Sequence, residues 1–115
     1  MAQITYASME LTPREQFKIF NGKCESLRNC IGNTYDIVGY AKLDTENKDG
    51  TPVELFVFIT ESGECIATNS KVCIKSFEAM VDAFGTPTID TPITEVQVIE
   101  GTSKNGRTFL DITLA

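Results

Sequence analysis

The clearest alternation of apolar and polar positions in the chain runs from Val53 to Thr60, V-E-L-F-V-F-I-T. β-branched and aromatic residues that repeat with a period of two are typical of a β-strand, whose successive side chains point to opposite faces. The side chains on one face are aliphatic: Val53, Leu55, Val57 and Ile59. We expect this row to fill the core, which leaves Phe56 and Phe58 facing outward on the other side.

The apolar period changes shortly after this strand, from that of a strand to that of a helix. The turn E-S-G-E at 61–64 leads into a short antiparallel strand at 65–68. Residues 68–70, T-N-S, are all good helix N-cap residues. The apolar positions that follow have the spacing of one buried helix face: Cys73, Phe77, Met80, Val81 and Phe84. Gly85 and Pro87 predict the end of this helix.

An earlier stretch, residues 34–44, also alternates and predicts another strand. Gly39 lies inside it, and a glycine within a strand indicates a bulge or a sharp bend of the kind that turns the corner of a small barrel. The polar stretch T-E-N-K-D-G at 45–50 predicts a turn between this strand and the central one.

A second hairpin is predicted after the helix, with arms at 94–100 and 108–114 around the turn G-T-S-K-N-G at 101–106. The positions expected to face inward are Val96, Val98, Leu110, Ile112 and Leu114. Arg107 and Phe109 are then expected to face outward.

The N-terminal third of the chain has a weaker pattern. T-P-R-E at 12–15 has Thr at the N-cap, Pro at N1 and Glu at N3, which is the capping-box arrangement. F-K-I-F at 17–20 fits either a short helix or a strand, and we favour the helix. Residues 21–33 are expected to form a loop, with Leu27 and Ile31 as its apolar anchors.

The predicted elements follow the order β, β, β, α, β, β. This is the order of an OB-fold, a five-stranded Greek-key barrel that here has one helix between strands three and four. We therefore expect a mainly β, OB-like single domain over residues 1–115, with 1–33 as an N-terminal extension that packs on the barrel. Other α+β meanders share this order of elements. An OB-fold binds oligonucleotides on the face of strands two and three, between loops that correspond here to 45–50 and 101–106.

Composition narrows the range of functions. The net charge is −6, which argues against a protein that grips duplex DNA through many phosphate contacts. The chain has four cysteines without C-x-x-C spacing and no histidine, so we expect free thiols and neither a metal site nor a cofactor. Without histidine the commonest general base is missing, and a thiol enzyme using Cys65 or Cys73 has no basic partner at useful spacing. We expect that the protein is not an enzyme.

Four segments of the chain resemble one family in a single colinear order. They are F-K-I-F-N at 17–21, V-F-I-T-E-S-G-E at 57–64, I-A-T-N-S-K at 66–71 and V-I-E-G-T-S-K-N-G-R-T-F at 98–109. The family is that of the single-stranded-DNA-binding proteins of Bacillus phages that replicate by protein priming, the Salas-type phages. The resemblance covers most of the chain, and the segment before residue 17 and the loop at 22–33 depart from it.

The resemblance implies a small OB-like domain that coats and protects displaced single strands during phage genome replication, largely independently of sequence. Its partners would be single-stranded DNA and phage or host replication proteins. The N-terminus lacks the features of a signal peptide and no long apolar run occurs, so we expect a soluble, intracellular protein without membrane contact. The resemblance then implies the cytoplasm of the infected bacterial host. The sequence does not fix the oligomeric state, and we favour a monomer.

Binding of single strands without sequence preference needs aromatic rings for base stacking and cations for the backbone. The aromatic candidates are Tyr40, Phe56, Phe58 and Phe109, and the cationic candidates are Lys42, Lys48, Lys104 and Arg107. Each phenylalanine could instead be covered by the N-terminal segment or by the helix. Glu54 and Asp111 lie beside these rows and repel phosphate. Tyr6, Tyr35 and Phe20 are assigned to packing.

A second function fits the same residues. An acidic surface with exposed aromatic rings can imitate nucleic acid, so the chain could be a small phage protein that interacts with and inhibits a host enzyme. The local charge separates the two hypotheses. A basic strip around Lys42, Lys104 and Arg107 favours DNA. An acidic strip around Glu54, Glu95 and Asp111 favours a protein partner.

Overall fold

The computed structural model describes residues 3–46 and 48–115. Over these residues the protein is mainly β, and its strands form one curled, mixed sheet that makes half of a barrel. The strands are β1 (Gln3–Ala7), β2 (Glu25–Ser26), β3 (Thr34–Glu46), β4 (Pro52–Thr60), β5 (Cys65–Thr68), β6 (Ile93–Thr102) and β7 (Thr108–Leu114). The helices are α1 (Pro13–Phe20) and α2 (Lys71–Phe84), and Leu27–Cys30 forms a short 3-10 helix.

The predicted order of elements is confirmed by β3, β4, β5, α2, β6 and β7. The sheet order is β2-β5-β4-β3-β6-β7, with β1 also paired to β3. Within the described residues the sheet therefore has seven strands, two more than expected, and both extra strands belong to the N-terminal segment. β3 accommodates β1 because it is long: residues 34–37 pair with β6, and residues 41–44 pair with β1.

The bulge predicted at Gly39 is present. A two-residue step on β3, from Ile37 to Gly39, lies opposite a one-residue step on β4, from Thr60 to Ile59. The extra residue interrupts the alternation of faces, so Val38 and Tyr40, two positions apart, pack against cores on opposite sides of the sheet. A Cβ atom at Gly39 would overlap the side chain of Met9, so a larger residue at this position would force that side chain to shift.

The sheet is covered on both sides. The helix-side core lies between the sheet and α2 and contains Leu27, Cys30, Ile37, Phe56, Phe58, Ile66, Cys73, Phe77, Met80, Ile93, Val96, Val98 and Ile112. The N-terminal-side core lies between the sheet and the segment that contains α1, and its members are Leu11, Ile19, Val38, Ala41, Leu43, Val57, Ile59 and Cys65.

The prediction that Phe56 and Phe58 face outward is wrong. Their exposed fractions are 0% and 2%, and their ring centroids lie 5.4 Å and 4.8 Å from that of Phe77 in α2. The aliphatic row was correctly expected to be core at Val57 and Ile59, which lie in the N-terminal-side core, whereas Val53 and Leu55 are half-buried. Both rows of β4 are core, since each face of the strand has its own cover.

In the N-terminal segment the predicted helix cap is confirmed, whereas two of the apolar residues of the helix are exposed. The Thr12 hydroxyl accepts from the Glu15 N–H at 3.2 Å and the Glu15 carboxylate accepts from the Thr12 N–H at 2.8 Å, so the predicted capping box and helix are confirmed. Phe17 and Phe20 are exposed on this helix, whereas Ile19 between them is buried. The packing role expected for Phe20 is therefore wrong.

The loop after α1 uses one of its two expected anchors. Leu27 is buried, as predicted, but Ile31 is 42% exposed and Cys30 is buried instead. Leu27 and Cys30 begin and end the 3-10 helix, whose tight turn brings both side chains into the helix-side core. Leu114, expected to face inward at the end of β7, is 42% exposed.

Ser70 ties α2 to the sheet. Its hydroxyl accepts from the N–H of Cys73 at 3.3 Å as the predicted N-cap, and donates to the carbonyl of Leu110 in β7 at 2.8 Å. Further along the helix, the Ser76 hydroxyl donates to the Asp111 carboxylate at 2.6 Å. Gly85, with φ of 87°, ends the helix as expected. Among the described residues, neither helix is both long and apolar enough to cross a membrane.

We expect Phe56→Ala to lower the free energy of unfolding by about 3–5 kcal/mol, because it removes a fully buried ring from the helix-side core. Phe17→Ala is the matched control, since that ring is 62% exposed and its removal is expected to change stability by less than about 0.5 kcal/mol. Urea unfolding followed by circular dichroism measures both. Equal, small effects would mean that Phe56 is not a core residue.

Ser70→Ala removes an N-cap and leaves the Leu110 carbonyl without its side-chain donor. We expect a loss of about 1–2 kcal/mol in the free energy of unfolding, at the upper end of N-cap substitutions. Asn69→Ala, an exposed neighbour, is the control and is expected to be close to neutral. The same urea titration reports the result, and equal stability of the two variants would contradict the capping role.

Candidate nucleic-acid interface

A cleft of about 330 Å³ opens on the β4–β5 face of the sheet, on the side covered by the N-terminal segment. Its floor is apolar and its rim carries polar groups. The lining residues used below are Ile19, Cys24, Arg28, Leu43, Leu55, Val57, Ala67, Asn69 and Leu110. We call this site the β4–β5 cleft. Its size is at the lower end of ligand-binding pockets, which are typically about 300–1,000 Å³, and its apolar floor with a few polar groups is typical of them.

The cleft exists because α1 covers only part of the aliphatic row of β4. Ile19 from the last turn of α1 lines the cleft and also lies in the N-terminal-side core with Val57. Leu55, two positions earlier on the same face of β4, is only half-buried and lines the open part. Arg28 and Asn69 are both exposed at the rim, where their side chains can reach a ligand above the apolar floor.

The β6–β7 hairpin joins this site through Leu110, which lines the cleft from β7. The hairpin tip is closed by a hydrogen bond from the Ser103 N–H to the Arg107 carbonyl at 2.8 Å. Lys104 and Arg107 are exposed there, and the segment 101–110 contains no carboxylate. The tip is therefore a basic element that extends from the wall of the cleft.

Phe109 adds a ring to this hairpin. It pairs with Gly101 across the two strands, and a Cβ atom on Gly101 would overlap the Phe109 ring. The glycine therefore lets the ring lie flat over the backbone of β6. Phe109 is half-buried and lies three positions from Ile112, so it faces away from the helix-side core.

A different aromatic row crosses the other face of the sheet. The ring centroid of Tyr40 lies 5.4 Å from that of Tyr6 and 5.2 Å from that of Phe56, with which it stacks at an interplanar angle of 6°. The register explains the row, because Lys42 pairs with Tyr6 on one side and with Phe56 on the other. We call Tyr6, Tyr40 and Lys42 the tyrosine surface.

Tyr6 reaches this surface through an irregularity in β1. Ile4 pairs with Leu43 and Tyr6 with Lys42, so a two-residue step on β1 matches one residue on β3. The shift puts Ile4 against the N-terminal-side core and Tyr6 on the helix side. The packing role predicted for Tyr6 is thus only half right, because the ring contacts Tyr40 and is nevertheless 44% exposed.

Carboxylates surround the tyrosine surface. Asp44 and Glu54 are exposed and lie directly opposite each other on β3 and β4, and each shares a strand face with Lys42 or Phe56 two positions away. Glu78 of α2 lies close enough to Tyr40 to raise the pKa of its phenol. Phosphate is disfavoured where one lysine meets three carboxylates.

The phenol of Tyr40 is held in its neutral form. Burial is the main cause, followed by a hydrogen bond with Tyr6, and together with nearby charge they raise the pKa of Tyr40 to about 12. Burial also raises the pKa of Tyr35. Both tyrosines therefore remain uncharged hydrogen-bonding groups throughout the physiological range.

The eight residues predicted from the sequence as binding residues fall into separate places. Tyr40, Lys42, Phe56 and Phe58 come together on the helix side, where both phenylalanines are covered by α2. Lys104, Arg107 and Phe109 come together on the β6–β7 hairpin. Lys48 lies exposed in the turn between β3 and β4. Asp111, expected beside these rows, is bound to Ser76 of α2.

The sequence interpretation missed the residues of the β4–β5 cleft. Arg28 was read as part of a loop, although it directly follows the buried Leu27 that fixes its position. Asn69 was considered only with the helix caps. Leu55 was expected to be core and instead forms part of the open floor. The lining comes from segments far apart in the chain, such as α1, β4 and β7, so no local signal marks the cleft.

No protein-family model, no curated protein and no solved structure matches this chain. Within the parts of the chain that the structure describes, no group of three or more Cys, Asp or Glu side chains is arranged to hold a metal ion. All four cysteines are free thiols.

The raised pKa of Tyr40 predicts a loss of stability at high pH. Above pH 10 the unfolded chain ionises its tyrosines, whereas folded Tyr40 keeps its proton up to about pH 12, so the free energy of unfolding falls as pH rises through this window. Urea unfolding at several pH values measures the slope. Tyr40→Phe is expected to make the slope shallower and to leave the parts due to Tyr35 and to the Cys73 thiol, whose pKa burial also raises. An unchanged slope would contradict the shift.

Proposed function

We propose that this protein binds single-stranded DNA at the β4–β5 cleft and the adjoining tip of the β6–β7 hairpin. The single observation that carries the proposal is the cleft itself, an apolar floor on the β4–β5 face whose rim and adjoining hairpin carry exposed cations. In this function the protein coats and protects displaced strands during phage genome replication, as the resemblance to the Salas-type phage proteins implies.

The strand order supports an OB-like barrel. β3, β4 and β5 are joined by hairpins, and β6 returns after α2 to pair with β3. In the Greek-key arrangement, three strands are joined by hairpins and a fourth strand returns to lie beside the first. Here β6 returns to lie beside β3. In an OB-fold, oligonucleotides bind across strands two and three, here β4 and β5, next to the loop between strands four and five, here the β6–β7 tip. The position of the cleft on β4 and β5 and the basic tip of the β6–β7 hairpin support binding of this kind.

The chemistry of the cleft suits a base and its phosphate. A nucleobase has a flat apolar surface that Leu55 and Val57 can cover, and Asn69 at the rim offers an amide to its edge. Arg28, Lys104 and Arg107 are exposed cations around the same opening and its hairpin. With few cations, binding depends more on base contacts than on phosphate charge, which is compatible with a net charge of −6.

Binding of a labelled oligo-dT, followed by fluorescence anisotropy at several salt concentrations, tests the proposal. On single strands each phosphate contact contributes about −0.7 to the slope of the logarithm of the binding constant against the logarithm of the salt concentration. Three contacts therefore predict a slope of about −2. Arg28→Ala and Arg107→Ala are each expected to weaken binding and to make the slope shallower by about 0.7. Phe109→Ala is expected to weaken binding by about 1–3 kcal/mol if its ring stacks on a base.

Lys75→Ala is the matched control, because Lys75 is exposed on α2 and belongs to neither the cleft nor the hairpin. We expect it to bind like the unaltered protein, and a duplex competitor to displace the oligo-dT poorly. Absence of oligo-dT binding at low salt would overturn the function. Binding that survives the cleft and hairpin substitutions would overturn the site.

A second candidate function is favoured by the charge around the tyrosine surface. Asp44, Glu54 and Glu78 make this surface acidic, and Tyr6 exposes an aromatic ring beside them. An acidic surface with exposed aromatic rings suits a protein partner, such as a host enzyme that the phage inhibits. Tyr6→Ala separates the two surfaces as sites for DNA. It leaves oligo-dT binding unchanged if DNA uses the cleft, and a loss of DNA binding would place the DNA at the tyrosine surface.

A further inference from the structure

Two cysteines face each other across the edge of the sheet. β2 and β5 pair in parallel, with Glu25 opposite Ile66 and Ser26 opposite Ala67. One step back along both strands brings Cys24 opposite Cys65. Aligned positions of a parallel pair point to the same face, and both cysteines indeed lie at the N-terminal-side core, Cys65 within it and Cys24 packed against it.

The spacing of such a pair suits a covalent bond. Neighbouring strands lie about 4.7–4.9 Å apart, and disulfides span Cα separations of about 4.4–6.8 Å. The two thiols lie close together, because a hydrogen-bonding interaction between them shifts the pKa of each. The other cysteines lie elsewhere, since Cys30 and Cys73 are both in the helix-side core on the opposite face of the sheet.

The surroundings of the pair favour loss of its first proton. The hydrogen bond from Cys24 lowers the pKa of the Cys65 thiol and, for the same reason, raises the pKa of Cys24. The ammonium group of Lys18, on the last turn of α1, lowers the pKa of both thiols. Cys24 is half-buried, so a small reagent can reach it, whereas Cys65 is only 3% exposed.

We propose that Cys24 and Cys65 form an intramolecular disulfide when the protein meets a small-molecule disulfide such as oxidised glutathione. The Cys65 thiolate takes up the proton of Cys24 while the accessible Cys24 sulfur attacks the reagent, whose S–S bond breaks and releases one glutathione thiolate. This glutathione thiolate then takes the proton from Cys65. The Cys65 thiolate then attacks the Cys24 sulfur and displaces the second glutathione. The two protein thiols lose two electrons in total, the reagent accepts them, and the two protons leave on two glutathione thiols.

The disulfide fixes one wall of the β4–β5 cleft. Cys24 lines the cleft, and the segment around it is joined to β5 by the two residue pairs of β2. A covalent bond next to these pairs holds the loop after α1 against the sheet edge. The inference concerns thiol chemistry alone and stands whether or not the cleft binds DNA.

The native protein is incubated with oxidised glutathione, its free thiols are counted after denaturation, and its disulfides are located by mass spectrometry of unreduced peptides. We expect the count to fall by two from the four thiols of the reduced chain, with Cys24 joined to Cys65. We also expect the thermal unfolding temperature to rise on oxidation and to return after reduction, because the cross-link restricts the unfolded chain.

Three serine variants provide the controls. Cys24→Ser, at a half-buried position, is expected to lose both the disulfide and the rise in unfolding temperature. Cys30→Ser and Cys73→Ser are expected to keep the Cys24–Cys65 bond. If a variant does not fold, the peptide map of the unaltered chain still decides. An unchanged thiol count in native protein, a Cys24–Cys30 bond or a bond between two copies would each overturn the proposal.

Discussion

Burial of β4 on both faces is the constraint on which the rest of the structure depends. A strand with one apolar face needs one cover, but β4 carries an aliphatic row and an aromatic row, and each needs its own. α2 covers Phe56 and Phe58, and the N-terminal segment covers Val57 and Ile59. The chain before β3 is therefore part of the core and not an appendage, which explains why its two strands are built into the sheet and its helix α1 packs against the sheet.

Most elements could be predicted because their signals are local. The period of two in β4, the T-N-S stretch before α2 and the capping box of α1 each depend on residues within one segment, and the structure follows them. The orientation of β4 could not be read in the same way. Periodicity separates two faces but does not say how many of them are covered, and both rows were apolar enough to be core. Choosing the aliphatic row as the core left Phe56 and Phe58 exposed, which was wrong.

Only the part of the candidate site that lies on the single β6–β7 hairpin could be predicted from the sequence. Lys104, Arg107 and Phe109 were identified from one turn and its flanking strands, and they lie together. The cleft brings Arg28, Leu55 and Leu110 together from segments that are distant in the sequence. Tyr6 was missed for a related reason, because the irregularity that turns its ring to the helix side results from pairing with β3. Such contacts depend on tertiary structure and leave no mark in a local pattern.

The location of the cleft follows from the lengths of two elements. The aliphatic row of β4 spans six residue steps from Val53 to Ile59, about 20 Å at about 3.3 Å per residue. α1 has eight residues and is about 12 Å long at 1.5 Å per residue. A helix of this length cannot cover the whole row, and it covers the Ile59 and Val57 end. Leu55 is left in the open part of the cleft, which the loop that carries Cys24 also lines.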